Sequence, residues 1–435
     1  MFKTRIFPVP DPQSLGRFRA PTSDSPTASA LDHWEAAESA PGLDAVVTAA
    51  DHIRNTNIPV GFPTETVYGL GADATRSGAV RGIFTVKGRP LDNPLIVHVC
   101  DLDMLRGLCD KELPAVYRPL IERFWPGPLT ILLPVSETAR YTLAPEVTAG
   151  LPTFGVRLPA SPLTRTLIRL ADVPLAGPSA NASTRPSPTT AQHVVDDLSG
   201  RIEVVLDGDA CGVGVESTVV DGLCNPPVIL RPGGISLAEL RAVPGWERVE
   251  RAYDDKAHGG NAQLDCKIRH IEDTLKPRAP GMKYKHYSPK ARVVLYESGK
   301  AQAVPQEALS QDIEREGRQA AILGLVRTGR WPTLATNLEK TVAASDGSIT
   351  AASSTETSKG AVYRLETYNH PSGPKILEVD LGRELSSIAH GLFFALRDLD
   401  ARGAGVILVE GIADDSDDMA SAVMNRLRKA ASEVR

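Results

Sequence analysis

The chain has 435 residues, with 48 Lys plus Arg against 53 Asp plus Glu, and its formal charge of −5 excludes capture of nucleic acid by bulk charge. With 42% hydrophobic and 23% charged residues it reads as an ordinary globular protein, and its length predicts two or three domains. No apolar run approaches the roughly 18 residues of a membrane span.

The five cysteines (Cys100, Cys109, Cys211, Cys224, Cys266) are widely separated and include no Cys-x-x-Cys pair. They argue against a disulfide scaffold and a Cys-based zinc site, and for a reducing compartment. Lys3, Arg5, Arg17 and Arg19 resemble an organelle presequence faintly, but Pro8, Pro10 and Pro12 break any amphipathic helix there. The expected location is the cytoplasm, with a minor mitochondrial pool.

In chain order, residues 1–45 predict an N-terminal strand and a flexible extension, because 20–45 are rich in Ser, Pro, Ala and acid without an apolar period. Residues 46–250 form the first large domain. Short apolar runs at 59–62, 94–99, 129–133, 154–158, 204–206 and 228–230 alternate there with helical stretches, an α/β pattern with more strand than a simple doubly wound sheet. Residues 251–291 are a polar linker ending in a basic run, since 276–292 hold six Lys/Arg and no acid. Residues 292–435 form a second α/β unit, with strands at 293–296, 321–326, 376–379 and 406–409 and helices at 385–401 and 419–431. Strands alternating with helices predict a small parallel sheet. Residues 341–360, dominated by Ser, Thr and Ala, read as a mobile insertion.

Several familiar chemistries are absent. There is no Walker loop, no dinucleotide fingerprint, no His-Glu-x-x-His and no Gly-x-Ser-x-Gly. What remains is a series of polar clusters in turn-forming sequence. Residues 63–71 follow an apolar strand, so Thr64 and its neighbours either orient a small polar substrate or cap a turn. Val80, Ile83 and Phe84 line one helical face, Gly88 is placed as a left-handed stop, and Lys87 and Arg89 therefore flank a helix terminus. Two cations there suit an anionic ligand, and equally answer the helix macrodipole. His98 shares a strand face with Ile96, where a lone His is more often structural than a ligand.

Arg157 lies inside an apolar strand and must meet either an internal carboxylate or one on a substrate. Residues 176–188, with Gly177, Ser179, Asn181 and Ser187 among prolines, let backbone N–H groups approach phosphate, or form a plain turn. Residues 215–218 carry Ser217, and Arg231 ends another apolar strand. No Cys or Ser sits in a triad context, so the inventory favours transfer by positioning and charge stabilisation of something bearing a carboxylate and a polyphosphate.

Taken in order, PTETVYGLG (63–71), KGRPLDNPLIVHV (87–99), WPGPLT (125–130), GVRLPA (155–160), GPSAN (177–181), RPSPT (185–189), VEST (215–218) and LRPG (230–233) resemble the YrdC/Sua5 family of L-threonylcarbamoyladenylate synthases. APGMKYKHYSP (279–289) resembles the interdomain linker of the long Sua5 branch, and the second unit, ending in AVMNR (422–426), its C-terminal domain. The resemblance implies a YrdC-like twisted mixed sheet with helices and an open concave site, joined to a smaller Rossmann-like parallel α/β domain. It implies an enzyme that converts L-threonine, bicarbonate or CO2, and ATP into threonylcarbamoyl-AMP and pyrophosphate. The product would pass to a tRNA threonylcarbamoyl transferase complex for the t6A modification at tRNA position 37. By the same resemblance, Thr64, Ile96, Arg157, Gly177 and Ser217 hold threonine, and Lys87, Leu91, Thr153, Ser179, Ser187, Arg231 and Tyr284 hold ATP. Lys87, Arg89, Ser179 and Asn181 match a characteristic polar tetrad. Mg²⁺ is expected on the ATP phosphates, with no metal site in the protein, and the linker carrying Tyr284 is expected to act as a lid. The competing class is an RNA-binding module acting without catalysis, for which the −5 charge and 5% aromatic content are poorly suited. Neither membrane association nor strong direct binding of nucleic acid is expected.

Overall fold

A computed structural model describes residues 2–20, 29–109, 112–252, 286–297, 306–331, 363–369, 374–414 and 418–435. Chain contacts divide the protein into two units, Met1–Ser183 with Ser187–Tyr284, and Thr184–Pro186 with Lys285–Arg435. No helix among the described residues is long and apolar enough to cross a membrane.

The strands of the first unit are β1 (Arg5–Pro8), β2 (Gly16–Phe18), β3 (Trp34–Ala36), β4 (Val60–Phe62), β5 (Gly69–Asp73), β6 (Ile96–His98) and β7 (Leu129–Pro134). They continue with β8 (Thr153–Arg157), β9 (Leu175–Ala176), β10 (Val204–Asp207), β11 (Thr218–Asp221), β12 (Val228–Arg231) and β13 (Glu250–Arg251). Eleven of them form one mixed sheet in the order β1-β10-β4-β5-β9-β6-β8-β7-β11-β12-β13, and β2 and β3 pair separately. All six expected apolar runs contain strands, and most of the residues in each are buried.

The helix Ser77–Lys87 forms as its spacing predicts. Val80, Ile83 and Phe84 are buried, and each such side chain contributes about 1.5–3 kcal/mol. Gly88 closes it at φ 63°, donating its N–H to the last turn, a conformation that a residue with a Cβ adopts only with strain.

The segment 20–45, expected as loop, is partly a core element. Trp34 is 2% exposed and its indole N–H donates to Thr166 Oγ1 at 3.0 Å. β1 pairs in parallel with β10, from Arg5 opposite Val204 to Pro8 opposite Asp207.

The second unit is a six-stranded sheet of β14 (Arg292–Tyr296), β15 (Ile322–Arg327), β16 (Arg364–Asn369), β17 (Lys375–Asp380), β18 (Val406–Glu410) and β19 (Glu433–Val434). Its order is β16-β17-β15-β18-β14-β19, parallel throughout except for β16, which runs antiparallel to β17. Helices Leu385–Ala401 and Asp418–Ala430 cover it, the first burying Ile388, Leu392, Ala395, Leu396 and Leu399, the stripe read from the sequence. The expected insertion at 341–360 lies outside the described residues.

Candidate active site

The polar clusters of the first unit converge through backbone pairing. Leu70 N–H donates to Pro178 O, Gly69 bridges Ser179, and Ala180 N–H donates to Tyr68 O, so residues 177–181 lie along β5. Gly177 N–H donates to Ile96 O at 2.9 Å, and β6 runs parallel to β8, with Ile96 opposite Gly155 and His98 opposite Arg157. Val213 and Gly214 N–H donate to the carbonyls of Glu65 and Thr66, drawing the 213–218 stretch to the loop after β4.

Lys87 is 4% exposed, and its ammonium donates to the Ser179 carbonyl, to Asn181 O at 2.6 Å and to Asn181 Oδ1 at 3.5 Å. Three members of the tetrad are thus one cluster. Arg89 reaches back over its own loop, with Nη2 donating to Pro94 O at 3.1 Å. Leu91, on the same loop, is 55% exposed.

Arg157 meets an internal carboxylate, one of the two partners its burial demands. Nη2 lies 2.5 Å from Glu65 Oε1, Nη1 donates to Thr66 Oγ1 at 2.9 Å, and Nε donates to Gly127 O at 3.1 Å. A guanidinium has five N–H donors in a fixed fork, so this grip fixes its plane while leaving donors over. Thr64 is buried beside it, accepting from Thr66 and Val67 N–H and donating to Val67 O at 2.6 Å.

His98 is enclosed, with its ring edge-on to Phe62 at 5.8 Å. Burial, reinforced by the Arg157 charge, lowers its pKa to about 3, so it is a neutral ring at physiological pH. A side chain at Gly177 would press on this ring, because a Cβ there would sit 2.9 Å from His98 Nδ1.

On the neighbouring strands, Ser217 Oγ hydrogen-bonds Thr130 Oγ1 at 2.8 Å and accepts from Arg231 Nη2 at 3.0 Å. Arg231 also clasps the Ser217 carbonyl, through Nε at 3.1 Å and Nη2 at 2.8 Å. Ser187 is 1% exposed and donates to the buried carboxylate of Glu216. Gly233 packs flush against this strand, since a Cβ there would lie 2.3 Å from Glu216 O and from Thr218 N. Thr153 begins β8 while Arg157 ends it, four residues or roughly 13 Å apart along the strand. Tyr284 lies outside the described residues, as does most of the expected lid.

Sequence reasoning named the site residues and missed several groups that hold them: Glu65 and Thr66 on Arg157, Thr130 on Ser217 and Glu216 on Ser187. The signal was available in one case only, because a buried Arg demands a carboxylate. Among the described residues no group of three or more His, Cys, Asp or Glu could hold a metal ion, and the two carboxylates nearest the cluster are engaged by Arg157 and Ser187. Chemically, the arrangement gathers buried cations, hydroxyls and backbone donors in one part of the first unit.

Comparison with known proteins gives a consistent picture. A family model described as "Telomere recombination" matches residues 53–233, and one described as "Threonylcarbamoyl-AMP synthase, C-terminal domain" matches residues 235–432. The threonylcarbamoyl-AMP synthase of Schizosaccharomyces pombe is 45% identical over 413 residues, covering 90% of this chain and 89% of its own length. Those of Pyrococcus abyssi and Bacillus subtilis are 39% and 37% identical over 88% and 89% of this chain, and over 92% and 93% of their own lengths. The crystal structure of P. abyssi Sua5 complexed with L-threonine superposes with a TM-score of 0.66 at 36% identity, covering 89% of this chain and 95% of that one.

Proposed function

Since the chain belongs to the Sua5-type threonylcarbamoyl-AMP synthase family, we propose that the cationic hollow of its first unit joins L-threonine, CO2 or bicarbonate, and ATP into threonylcarbamoyl-AMP with release of pyrophosphate. The observation that carries this reading is the burial of the cations. Lys87, Arg157 and Arg231 are 4%, 3% and 6% exposed, so they act on something that enters the protein rather than on a polyanion lying across its surface. This favours catalysis over the RNA-binding alternative.

In the proposed reaction the threonine amine adds to CO2, losing a proton, and the resulting carbamate oxygen attacks the ATP α-phosphorus. The bond to the β-phosphate breaks and pyrophosphate leaves with its electron pair. Arg157, oriented by Glu65 and Thr66, presents its remaining donors to the threonine carboxylate, with Thr64, Ile96, Gly177 and Ser217 shaping the rest of that pocket. Arg89, Arg231, Ser187, Thr153 and the backbone near Leu91 hold the nucleotide. Lys87 supplies charge beneath the 179–181 loop and fixes Ser179 and Asn181 in place. Mg²⁺ carried by the ATP phosphates would add charge neutralisation there. Tyr284 on the linker would cover the nucleotide and limit hydrolysis of the mixed anhydride. The product then passes to a tRNA threonylcarbamoyl transferase complex that makes t6A, a reaction series of the cytoplasm.

Purified protein mixed with ATP, Mg²⁺, bicarbonate and threonine, without tRNA, should release pyrophosphate in a threonine-dependent way and yield the mixed anhydride by mass spectrometry. Pyrophosphate release that is indifferent to threonine, or that requires tRNA, defeats the proposal.

A further inference from the structure

β2 and β3 lie ahead of the matched stretch 53–233, and the synthase chemistry described above gives them no part. They pair antiparallel with Phe18 opposite Trp34, and the two rings meet edge to face with centroids 4.9 Å apart. The pair is fastened to helix Pro162–Ala171. Trp34 donates its indole N–H to Thr166, and the Thr166 hydroxyl donates in turn to Leu15 O at 3.1 Å.

Against these two rings lies a buried cation. Arg165 is 5% exposed, and its guanidinium carbon is 4.1 Å from the Trp34 ring centroid and 5.0 Å from that of Phe18. Both distances fall where the negative face of a ring attracts a cation, and desolvation strengthens that attraction. Nη1 donates to two successive carbonyls, Pro159 O at 2.8 Å and Ala160 O at 2.9 Å. A Met or Leu could fill the same space. What the guanidinium adds is a hold on the turn between β8 and the helix.

That hold reaches Arg157 through a single peptide bond. The Pro159 carbonyl belongs to the same planar unit as the Ala160 N–H, which donates to Glu65 Oε2 at 3.1 Å. A cation on the oxygen of a peptide polarises it and makes its N–H the stronger donor. The other oxygen of Glu65 holds Arg157 Nη2 at 2.5 Å. With both oxygens engaged, the carboxylate cannot turn without breaking one of the two contacts. Thr164, in the first turn of the same helix, donates to Pro63 O and secures the Glu65 loop at a second point.

We infer that Phe18 and Trp34, acting through Arg165, the 159–160 peptide and Glu65, orient Arg157 and so set the affinity for L-threonine. The β2–β3 pair is then a positioning element of the amino-acid pocket, and Arg165 a positioning residue. This rests on the reading that Arg157 receives the threonine carboxylate. The effect is selective, because Lys87 and Arg231 are held by groups at 179, 181 and 217, outside this chain of contacts.

The test titrates threonine and ATP separately into the full-length protein by calorimetry, with circular dichroism and thermal melts to select variants that remain folded at the working temperature. Arg165→Lys keeps the charge but not the planar fork, and Phe18→Leu removes one ring. Each should weaken threonine binding about tenfold and leave ATP affinity within about twofold. Phe18→Tyr retains the ring and should bind threonine as the parent does. Phe18→Leu/Arg165→Lys should bind threonine no more weakly than the weaker single variant, since both interrupt one relay. Threonine and ATP affinities falling together, losses that multiply in the double variant, or parental threonine binding in both single variants would each overturn the inference. Glu65→Ala/Arg157→Met separates this from failure of the underlying reading. Loss of threonine binding in that variant upholds the pocket assignment whatever Arg165→Lys does, and parental threonine binding there overturns the assignment and the inference with it.

Discussion

Glu65 is the most demanding test of the active-site architecture. Its Oε1 lies 2.5 Å from Arg157 Nη2, the two side chains being 17% and 4% exposed, and its Oε2 accepts Ala160 N–H at 3.1 Å. At an effective dielectric of 20 a pair at that distance attracts by about 7 kcal/mol, and desolvation of the two ions opposes most of it. Glu65→Ala removes the attraction but leaves the guanidinium buried, so the first unit should lose about 3–5 kcal/mol of stability. Glu65→Gln keeps an acceptor for Ala160 and Arg157 and should lose about half as much, roughly 2 kcal/mol. Glu65→Ala/Arg157→Met removes both charges and should recover most of the loss. Urea unfolding followed by tryptophan fluorescence is a suitable assay, because Trp34, Trp125 and Trp246 all belong to the first unit. A Glu65→Ala variant within about 1 kcal/mol of the parent, or a double variant as unstable as the two singles combined, would refute the view that Arg157 is oriented by this carboxylate.

Other expectations follow from the same geometry. Arg89→Ala should abolish threonine-dependent pyrophosphate release in a folded protein, and near-normal turnover removes Arg89 from the mechanism. Gly233→Ala forces a Cβ onto backbone atoms 2.3 Å away and should destabilise by about 1–3 kcal/mol or more, with activity falling too, as thermal melts and turnover will show. Arg231→Lys keeps the charge but loses the double contact with Ser217 O, so KM for ATP should rise; an unchanged KM counts against that role. His98, with its pKa lowered to about 3, stays neutral in the folded state while the unfolded chain binds a proton below about pH 6.5. Its contribution is therefore whole above pH 6.5 and declines by about 1.4 kcal/mol per pH unit as the pH falls towards 3. His98→Gln should flatten that part of the stability profile, and an unchanged slope excludes His98 as its source.

Much of the architecture could be read from local sequence because buried strands are short apolar runs and the Ser77–Lys87 helix carries its own stripe and stop. β5 escaped notice for a physical reason. Its glycines are demanded by the ring of Phe62 on the neighbouring strand β4, since a Cβ at Gly69 or Gly71 would lie 2.4 or 2.7 Å from it, and such a segment has little strand character of its own. The burial of Trp34 was equally invisible, because its partner Thr166 is far away in sequence. In the active site the cations were legible as charges in apolar or Pro-bounded surroundings. Their partners were not, since Lys87 is answered by carbonyls at 179 and 181 and Arg157 by residues 65, 66 and 127, contacts that only the folded sheet creates.

The clasp on Lys87 also bears on self-inflicted damage. A mixed carbamic–phosphoric anhydride is an acylating reagent, and a primary amine beside it is an obvious victim. As an ammonium donating to the Ser179 and Asn181 oxygens, Lys87 has no lone pair with which to attack an acyl centre. Placed as proposed, such a cation can stand beside the mixed anhydride without being acylated by it.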